Sequence, residues 1–356
     1  MAEFANPFEA HRNVGIPMQE KTWQDHQFSD EDWAGMTMMG CVFERVAFLS
    51  INLLQTMFVE CRFVDCTFED CQIVGTNLTA CTGTGFRIRD GACRELMLSD
   101  CTLDEVRFEQ SGQQLVLAGC RIGDVRFADA GLSQEIPTIS DCEIGNLHAA
   151  NAMWSDASAA GADLSLWDIA GASFRRCSFI RAAAEGVDLT KVEFVSCNLF
   201  QSRLRGARFR AVEECIFSEC NLDDADFQDA RAAGSLYSKS QARGCRFDAA
   251  SIEGALFPET DLTAASFTAA NAPNSVWVDA NLTDANLERL SARLGTFRNA
   301  CLQGASLLGC DMREADLHGV QGDLRAADTR DARGSVEWRA ERESDLRQFR
   351  ADPKGR

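Results

Sequence analysis

The sequence predicts an all-β protein, a solenoid of four-sided coils, and three observations support this. Between Phe217 and Leu317 every fifth residue is apolar over 21 consecutive positions, of which 17 are large and four are alanine. The residue two places earlier is mostly small, as at Cys215, Cys220 and Ala225. The same spacing, less regular, extends over most of the 356 residues. Such an internal repeat indicates a solenoid before any single element is considered.

A period of five fits neither a helix, which repeats every 3.6 residues, nor a strand, which repeats every two. It fits a unit made of a short extended segment and a corner. Within the segment alternate side chains share a face, so the central position, i, and position i−2 both point inward. Four right-angle units close a coil of 20 residues, and coils stack at about the 4.8 Å spacing of strands. The crowded centre then requires a small residue at i−2.

Several units share an alanine, then aspartate or asparagine, then a large apolar residue. They are Ala-Asp-Phe at 225–227, Ala-Asn-Leu at 280–282 and 285–287, and Ala-Asp-Leu at 315–317. These units resemble the A(D/N)LXX units of the pentapeptide-repeat family, and the resemblance covers about residues 36 to 320. It implies the right-handed, four-sided parallel β-helix of that family, here with about 14 coils.

The amino-terminal segments depart from this pattern. Residues 1–20 are aperiodic and are interpreted as an irregular leader. Residues 21–35 keep the spacing but place Lys21, His26 and Glu31 at i−2, where large polar residues do not fit an interior coil. Terminal repeats are expected to be atypical, so this segment is interpreted as an N-terminal cap. The alternative is an exposed aromatic docking patch.

The β-helix is expected over residues 36–327, with register slips near 109–116, 133–138 and 210–214. Residues 328–356 are expected to form a helical tail. Its apolar residues, Val336, Leu346 and Phe349 among them, fall near helical spacing. This helix is expected either to cover the last coil or to join two copies into a homodimer.

The 16 cysteines follow the repeat. Fourteen occupy i−2 positions, and only Cys93 and Cys301 do not. Cysteine can serve as a small buried apolar residue, so these side chains are predicted to be reduced core thiols that replace alanine. There is no C-x-x-C pair, which argues against a metal site or a disulfide framework. Cysteines spaced by one whole coil, from Cys41 to Cys101, are expected to stack.

The composition favours no enzyme class. The four histidines are not spaced as metal ligands or placed beside a nucleophile motif, so no catalytic site, cofactor or metal is expected. There is no apolar run long enough to span a bilayer and no signal-peptide pattern at the amino terminus. The protein is therefore expected to be cytoplasmic, without a membrane partner.

The charge pattern suggests a candidate interaction surface. The net charge is −19, and the stretch 213–229 holds seven acidic residues and no basic one. The acidic candidates are Glu213, Glu214, Asp223, Asp224, Asp226 and Asp229. Such a field would steer a basic partner and repel nucleic acid, so no direct nucleic-acid binding is expected.

Other candidates for this surface are three arginines and a tryptophan. Arg203, Arg205 and Arg208 lie in a basic cluster, in which Arg205 is expected to pair with Glu185 and Arg208 with Asp188, each one coil earlier. Trp167 falls at an i−2 position, for which it is too large. It is expected to mark a local distortion or to point outward.

These observations favour a non-catalytic scaffold that binds another protein of unknown identity. The family resemblance implies two alternatives. The best-understood members are DNA mimics that bind a type II topoisomerase such as gyrase. Long members of the family that resemble this protein can accompany bacterial secretion systems, so the second alternative is an accessory or adaptor protein of such a system.

Overall fold

The computed structural model describes residues 16–109, 115–127 and 138–334. The chain divides into two compact units. Unit 1 consists of Met1–Ala183 with Lys191–Glu193, and unit 2 of Ala184–Thr190 with Phe194–Arg356. Each unit is a parallel β-solenoid, and the chain has about 15 turns in all, close to the 14 expected. The predicted fold class is confirmed.

Unit 1 is built of short strands. They are β1 (Met18–Gln19), β2 (Thr22–Gln24), β3 (Gln27–Ser29), β4 (Thr37–Met39), β5 (Val42–Glu44), β6 (Ala47–Leu49), β7 (Met57–Val59), β8 (Arg62–Val64), β9 (Thr67–Glu69), β10 (Gln72–Val74), β11 (Asn77–Thr79), β12 (Thr82–Thr84), β13 (Phe86–Arg89), β14 (Ala92–Arg94), β15 (Leu96–Ser99), β16 (Thr102–Glu109), β17 (Leu115–Ala118), β18 (Arg121–Phe127), β19 (Thr138–Ser140), β20 (Glu143–His148), β21 (Met153–Ser155), β22 (Trp167–Asp168) and β23 (Ser173–Arg175). A 3-10 turn lies at Leu164–Leu166.

The remaining strands are β24 (Asp188–Val195), β25 (Arg208–Glu213), β26 (Asp316–Leu317) and β27 (Arg333–Gly334). Between β25 and β26 the extended segments are so short that each contributes one bridge to the next coil. These bridges recur once per coil, as in Ile216↔Leu236↔Leu256↔Val276.

The sheets of unit 1 run along the stacked coils. One has seven strands in the order β1-β4-β7-β11-β15-β17-β19. Another follows the order β2-β5-β8-β12-β16-β13-β9-β6-β3, with β18, β20 and β22 added beside β16. Pairing is parallel, with Met18 opposite Met38 and Phe43 opposite Phe63. This register shows that four five-residue units close each coil.

The corner of each unit requires an unusual backbone. The residue at i+2 adopts a positive φ, for example 58° at Asp224 and 56° at Lys239. The left-handed region is costly for most residues but is tolerated by aspartate, asparagine and glycine. The residue at i−1 also supports the turn, because the Asn281 side-chain oxygen accepts a hydrogen bond from the Thr283 N–H at 3.2 Å. This hydrogen bond explains the aspartate or asparagine at position i−1 of the repeat.

The core is made of columns of stacked rings. Phe247 lies between Phe227 and Phe267, with ring centroids 4.6 and 4.9 Å apart and the planes within 4° of parallel. A second column runs through Tyr237 and Phe257, and rings of the two columns meet edge to face. Both arrangements are favourable for aromatic rings. The inward convergence predicted from the period of five is confirmed.

The small residues at i−2 also donate hydrogen bonds between coils. The Thr76 hydroxyl donates to the Leu53 carbonyl at 2.7 Å, and the Thr260 hydroxyl to the Tyr237 carbonyl at 2.8 Å. Cysteine thiols make the same contact more weakly, as from Cys61 to the Met38 carbonyl at 3.5 Å. Cysteine at i−2 therefore adds a thiol hydrogen bond that alanine lacks.

All 16 cysteines are free, and 15 of them are buried. Only Cys301 is half-buried. Burial raises the pKa of the Cys66 and Cys71 thiols to about 11. Reduced core thiols are thus what the structure contains.

One glycine is required at a central position. Gly83 has a φ of 152°, and a Cβ there would lie 1.7 Å from the Phe63 carbonyl oxygen. The space left inside is filled by Phe86, which occupies an i−2 position and packs 5.6 Å from the Phe63 ring and 5.1 Å from the Phe68 ring. A large residue at i−2 therefore compensates for a missing one at i.

The amino-terminal boundary differs from the expectation. β1 already pairs with β4, and β2 with β5, so coil geometry begins by Met18 and includes the segment interpreted as a cap. Lys21 and His26 are exposed, whereas Phe28 and Trp33 are buried. The alternative of an exposed aromatic patch is wrong for Phe28 and Trp33, because these rings pack on Phe48.

The interval between paired residues departs from a full coil at three places. Leu98 pairs with Leu117, so this coil is one residue shorter than the regular 20. Leu117 pairs with Ile139, so the next coil is two residues longer. Asn198 bridges to Ile216, two places short, before the regular interval returns. The second shift itself, near 133–138, falls largely outside the described residues.

The carboxyl-terminal boundary also differs. β27 pairs with β26, so the solenoid extends to Gly334 and not to 327. The turn chemistry of the repeat explains this, since Asp328 accepts a hydrogen bond from the Arg330 N–H at 3.2 Å. The helix expected to contain Val336, Leu346 and Phe349, with its homodimer alternative, lies outside the described residues.

Truncating one ring of a column is expected to be costly. Phe247→Ala removes a fully buried ring in contact with four others. Such changes lower the free energy of unfolding by about 3–5 kcal/mol. Urea denaturation followed by circular dichroism measures the change. Ser251→Ala, at an exposed position of the same coil, serves as the control and should leave the midpoint unchanged. Equal losses in both variants would contradict the stacked core.

Thiol modification tests the placement of the cysteines. A thiol reagent must reach the sulfur atom, so buried thiols react slowly. With an excess of a thiol reagent at about pH 8, near the ordinary cysteine pKa, we expect one fast site, Cys301, and reaction of the other 15 only on unfolding. Cys301→Ala should remove the fast phase. Several fast thiols in the folded variant would show that the core is not closed.

Candidate interaction surfaces

The arginine cluster forms ion pairs between neighbouring coils. Arg208 pairs with Asp188 at 3.0 Å, as expected. Glu185, however, pairs with Arg203 at 2.8 Å, so the expected pair between Glu185 and Arg205 is wrong. Arg205 instead reaches Asp224 at 3.3 Å. The reason is geometric: the contact between Glu185 and Arg203 runs diagonally, from position i+1 of one unit to position i−1 of a unit in the next coil.

The six candidate acids are engaged in similar contacts. Glu213 pairs with Arg231 at 2.8 Å, Asp229 with Arg210 at 3.0 Å and Asp226 with Arg246 at 3.9 Å.

Asp224, the fourth acid, is the one that pairs with Arg205, and the last two acids accept hydrogen bonds. Glu214 accepts one from the Ser196 hydroxyl at 2.8 Å, and Asp223 accepts one from the Arg243 N–H at 3.0 Å. The structure therefore brings the predicted acids and arginines together, but as ladders between coils. Four of the six acids, counting Asp224 with Arg205, have their charge balanced by an arginine.

Trp167 is buried and does not point outward. It follows the 3-10 turn at Leu164–Leu166, which interrupts the regular units, and its ring packs 6.3 Å from that of Phe179. The expected local distortion is confirmed. Its indole nitrogen has no hydrogen-bond partner within the described part of the chain. Trp167 belongs to the core and is unsuited to contact a partner.

Unit 1 has one sheet face without charge. The residues that the seven-stranded sheet turns outward are Gln19, Thr37, Met39, Met57, Val59, Asn77, Thr79, Met97, Ser99, Val116, Ala118 and Ser140. We call them the uncharged face. Met57 and Met97 are 41% and 39% exposed. By contrast, the neighbouring sheet turns outward charged residues such as Glu44, Arg62 and Arg89.

Unit 2 has an outward column of aliphatic residues. Ile216, Leu236, Leu256 and Val276 bridge one to the next along four successive coils. We call these four residues the apolar strip. Ile216 is 38% exposed, and the other three are half-buried.

Uncharged residues also stand at i+1 beside the apolar strip. They are Ser218, Ser238, Pro258 and Val278.

The apolar strip is not a requirement of the fold. On the other three faces of unit 2, several residues at i−1 accept a hydrogen bond from the backbone N–H two residues later: Asn221, Asp226, Asp261, Asn281, Asn286 and Asp311. Isoleucine, leucine and valine cannot accept this bond, which is worth about 0.5–1.5 kcal/mol. Four successive coils therefore give up a stabilising contact and expose aliphatic surface instead.

The sequence contained a signal for this strip. A period of five reveals the inward positions, but the strip repeats only once per coil, at i−1. It is visible only when outward residues are sorted by face. Charge alone marks the acidic and basic outward positions along the sequence, so it does not reveal the two uncharged surfaces.

Two cavities of unit 1 are lined partly by charged residues. One of about 400 Å³ is lined by Arg121, Gly123, Glu143 and Gly145, among others. Another of about 290 Å³ is lined by Arg107, Arg126, His148 and Asp168 among its residues. Within 16–109, 115–127 and 138–334 no group of three or more histidine, cysteine or acidic residues is placed to hold a metal ion.

No helix in the described part of the chain has the length and apolar character needed to cross a bilayer.

These features define a protein of the parallel β-solenoid class. Two family models match the sequence. The model described as a pentapeptide repeat region matches residues 41–112, and the one described as pentapeptide repeats in eight copies matches 168–210, 260–293 and 296–321. The chain belongs to the pentapeptide-repeat family.

The chain is also similar to solved structures. A trypsin-treated form of QnrB1, a plasmid-mediated fluoroquinolone resistance protein, is 18% identical over 53% of this chain and 96% of that one, with a TM-score of 0.35. HetL from the cyanobacterium Nostoc, involved in heterocyst differentiation regulation, is 14% identical over 91% and 92%, with a TM-score of 0.23. No curated protein sequence matches the chain. These likenesses assign no partner.

Removing one ion pair of the ladder should have a small effect. Arg208→Gln breaks an exposed pair, so we expect a loss of under about 1 kcal/mol in the free energy of unfolding. The loss should shrink at about 1 M salt, where charges are screened beyond roughly 3 Å. A double-mutant cycle with Asp188→Asn, followed by urea denaturation, isolates the pair. A coupling of several kcal/mol would contradict a solvent-exposed ladder.

Proposed function

We propose that this protein is a non-catalytic scaffold that binds another protein through its uncharged surfaces. The observation that carries the proposal is the uncharged face of unit 1, twelve outward residues without a charge in a chain of 54 acidic and 35 basic residues. Exposed contiguous apolar surface marks interaction sites in soluble proteins. Six of the twelve residues are apolar: Met39, Met57, Val59, Met97, Val116 and Ala118. Methionine is common at such sites because its side chain adapts to the partner.

The ion-pair ladders favour this function over DNA mimicry. A DNA mimic would present acidic groups that are free to replace phosphates. Glu213, Asp224, Asp226 and Asp229 instead pair with arginines, which lowers the negative field at the candidate surface. The solenoid scaffold is supported by the family, and the partner in this proposal is a protein and not nucleic acid.

This scaffold suits a reducing compartment. All 16 cysteines are free, and the Cys61 thiol contacts those of Cys41 and Cys81 in the neighbouring coils. Disulfides form and persist in oxidising compartments, where so many cysteines would be a liability. The cytoplasm is the compartment that suits this chain.

Site-specific photo-crosslinking in the native host cells tests the scaffold function. A photoreactive amino acid at Met57 or Met97, on the uncharged face, is expected to give a discrete adduct with another protein. The same group at Gln72, exposed on another side of the same unit, is the matched control and should give none. Adducts from Gln72 as strong as those from Met57, or none from either methionine position, would overturn the proposal.

A further inference from the structure

We propose that the apolar strip of unit 2 binds an amphipathic α-helix of a partner protein, one whose apolar stripe is flanked by basic residues. This inference rests on the scaffold function and names the chemistry of the partner. Ile216, Leu236, Leu256 and Val276 are its contact residues. They form a straight, continuous aliphatic column on a regular surface.

The repeat distance suits a helix. Successive residues of the apolar strip are one coil apart, about 4.8 Å, and a helix rises about 5.4 Å per turn. A helix lying along the strip therefore places one apolar side chain per turn beside each coil. Over the three intervals of the strip the two repeats differ by only about 2 Å. A side chain can absorb that difference by changing rotamer.

The edges of the apolar strip select the sign of the partner's charge. Along one edge, position i+2 is occupied by Glu219, Lys239, Glu259 and Asp279, and Lys239 lies 3.8 Å from Glu259. This edge therefore has a net negative charge. The result is an aliphatic column with an acidic border, complementary to an apolar stripe with a basic flank.

The opposite edge is small and carries little charge. This edge is formed by the residue at i+2 of the unit that precedes each strip residue. It is Glu214 beside Ile216, and then Gly234, Gly254 and Asn274 beside the other three strip residues. A helix can approach closely over the two glycines and the asparagine. A second copy of this chain is a poorer occupant, because the net charge of −19 makes two copies repel.

The probe is a set of synthetic helical peptides of about 18 residues, five turns. The first has leucine on one face at i, i+4, i+7 and i+11, with lysine on the flanks. The second replaces lysine with glutamate, and the third has the composition of the first in scrambled order. Binding to the full-length protein is measured by fluorescence anisotropy. We expect the first peptide to bind at least about tenfold more tightly than either of the others, since apolar contact and charge both contribute.

Two matched variants locate the binding site. Leu256→Glu places a charge in the middle of the apolar strip, and Ser251→Glu adds the same charge at i−1 on another face of the same coil. Leu256→Glu should weaken binding of the leucine–lysine peptide about tenfold or more, whereas Ser251→Glu should leave it unchanged or slightly stronger. Leu256→Ser, which adds no charge, should also weaken binding. Circular dichroism confirms that each variant is folded.

The outcomes separate this inference from the scaffold function. Equal binding of the ordered and scrambled peptides would overturn the helix site. Insensitivity to both Leu256→Glu and Leu256→Ser would do the same, as would failure of the wild-type protein to bind. If Met57 still gave a specific protein adduct in cells, the scaffold would stand with a partner of another kind. If Met57 and Met97 gave none, the scaffold would itself be wrong.

Discussion

Stacking of like residues in successive coils is the constraint on which the rest of this structure depends. The ring of Phe247 has neighbours above and below because Phe227 and Phe267 occupy the same place in adjacent coils. With two inward side chains per unit, the partner position must be small, and its hydroxyl or thiol bonds the coil beneath. The residue at the corner must then adopt the left-handed backbone conformation, with a positive φ. Each requirement follows from keeping the columns aligned.

This constraint leaves the outward positions free to differ between faces. On most faces they hold the structure together: aspartate and asparagine support the turns, and arginines join coils, as Arg208 does with Asp188. Such exposed pairs contribute little individually. The uncharged face of unit 1 and the apolar strip of unit 2 follow neither pattern. They lack the polar contacts that the fold can use, which is why we assign binding to them.

The acidic composition has a different meaning in the structure than in the sequence. Glu213 to Asp229 is a run of acids without a base along the chain, but the bases that balance it stand in the preceding and following coils. Arg231 comes from the coil after Glu213, and Arg210 from the coil before Asp229. In a solenoid, the net charge of a short stretch of sequence therefore overstates the electrostatic field at the surface that this stretch forms. Net charge remains a property of the whole chain.

The sequence by itself determined the period, the inward columns, the buried cysteines and the places where the register shifts, because all of these depend on spacing alone. The structure decided what spacing leaves open. Arg203 rather than Arg205 reaches Glu185, since a long side chain can pair diagonally. Trp167 turns inward because a 3-10 turn makes room for it. The apolar strip became recognisable only when coil closure showed which outward residues stand above one another.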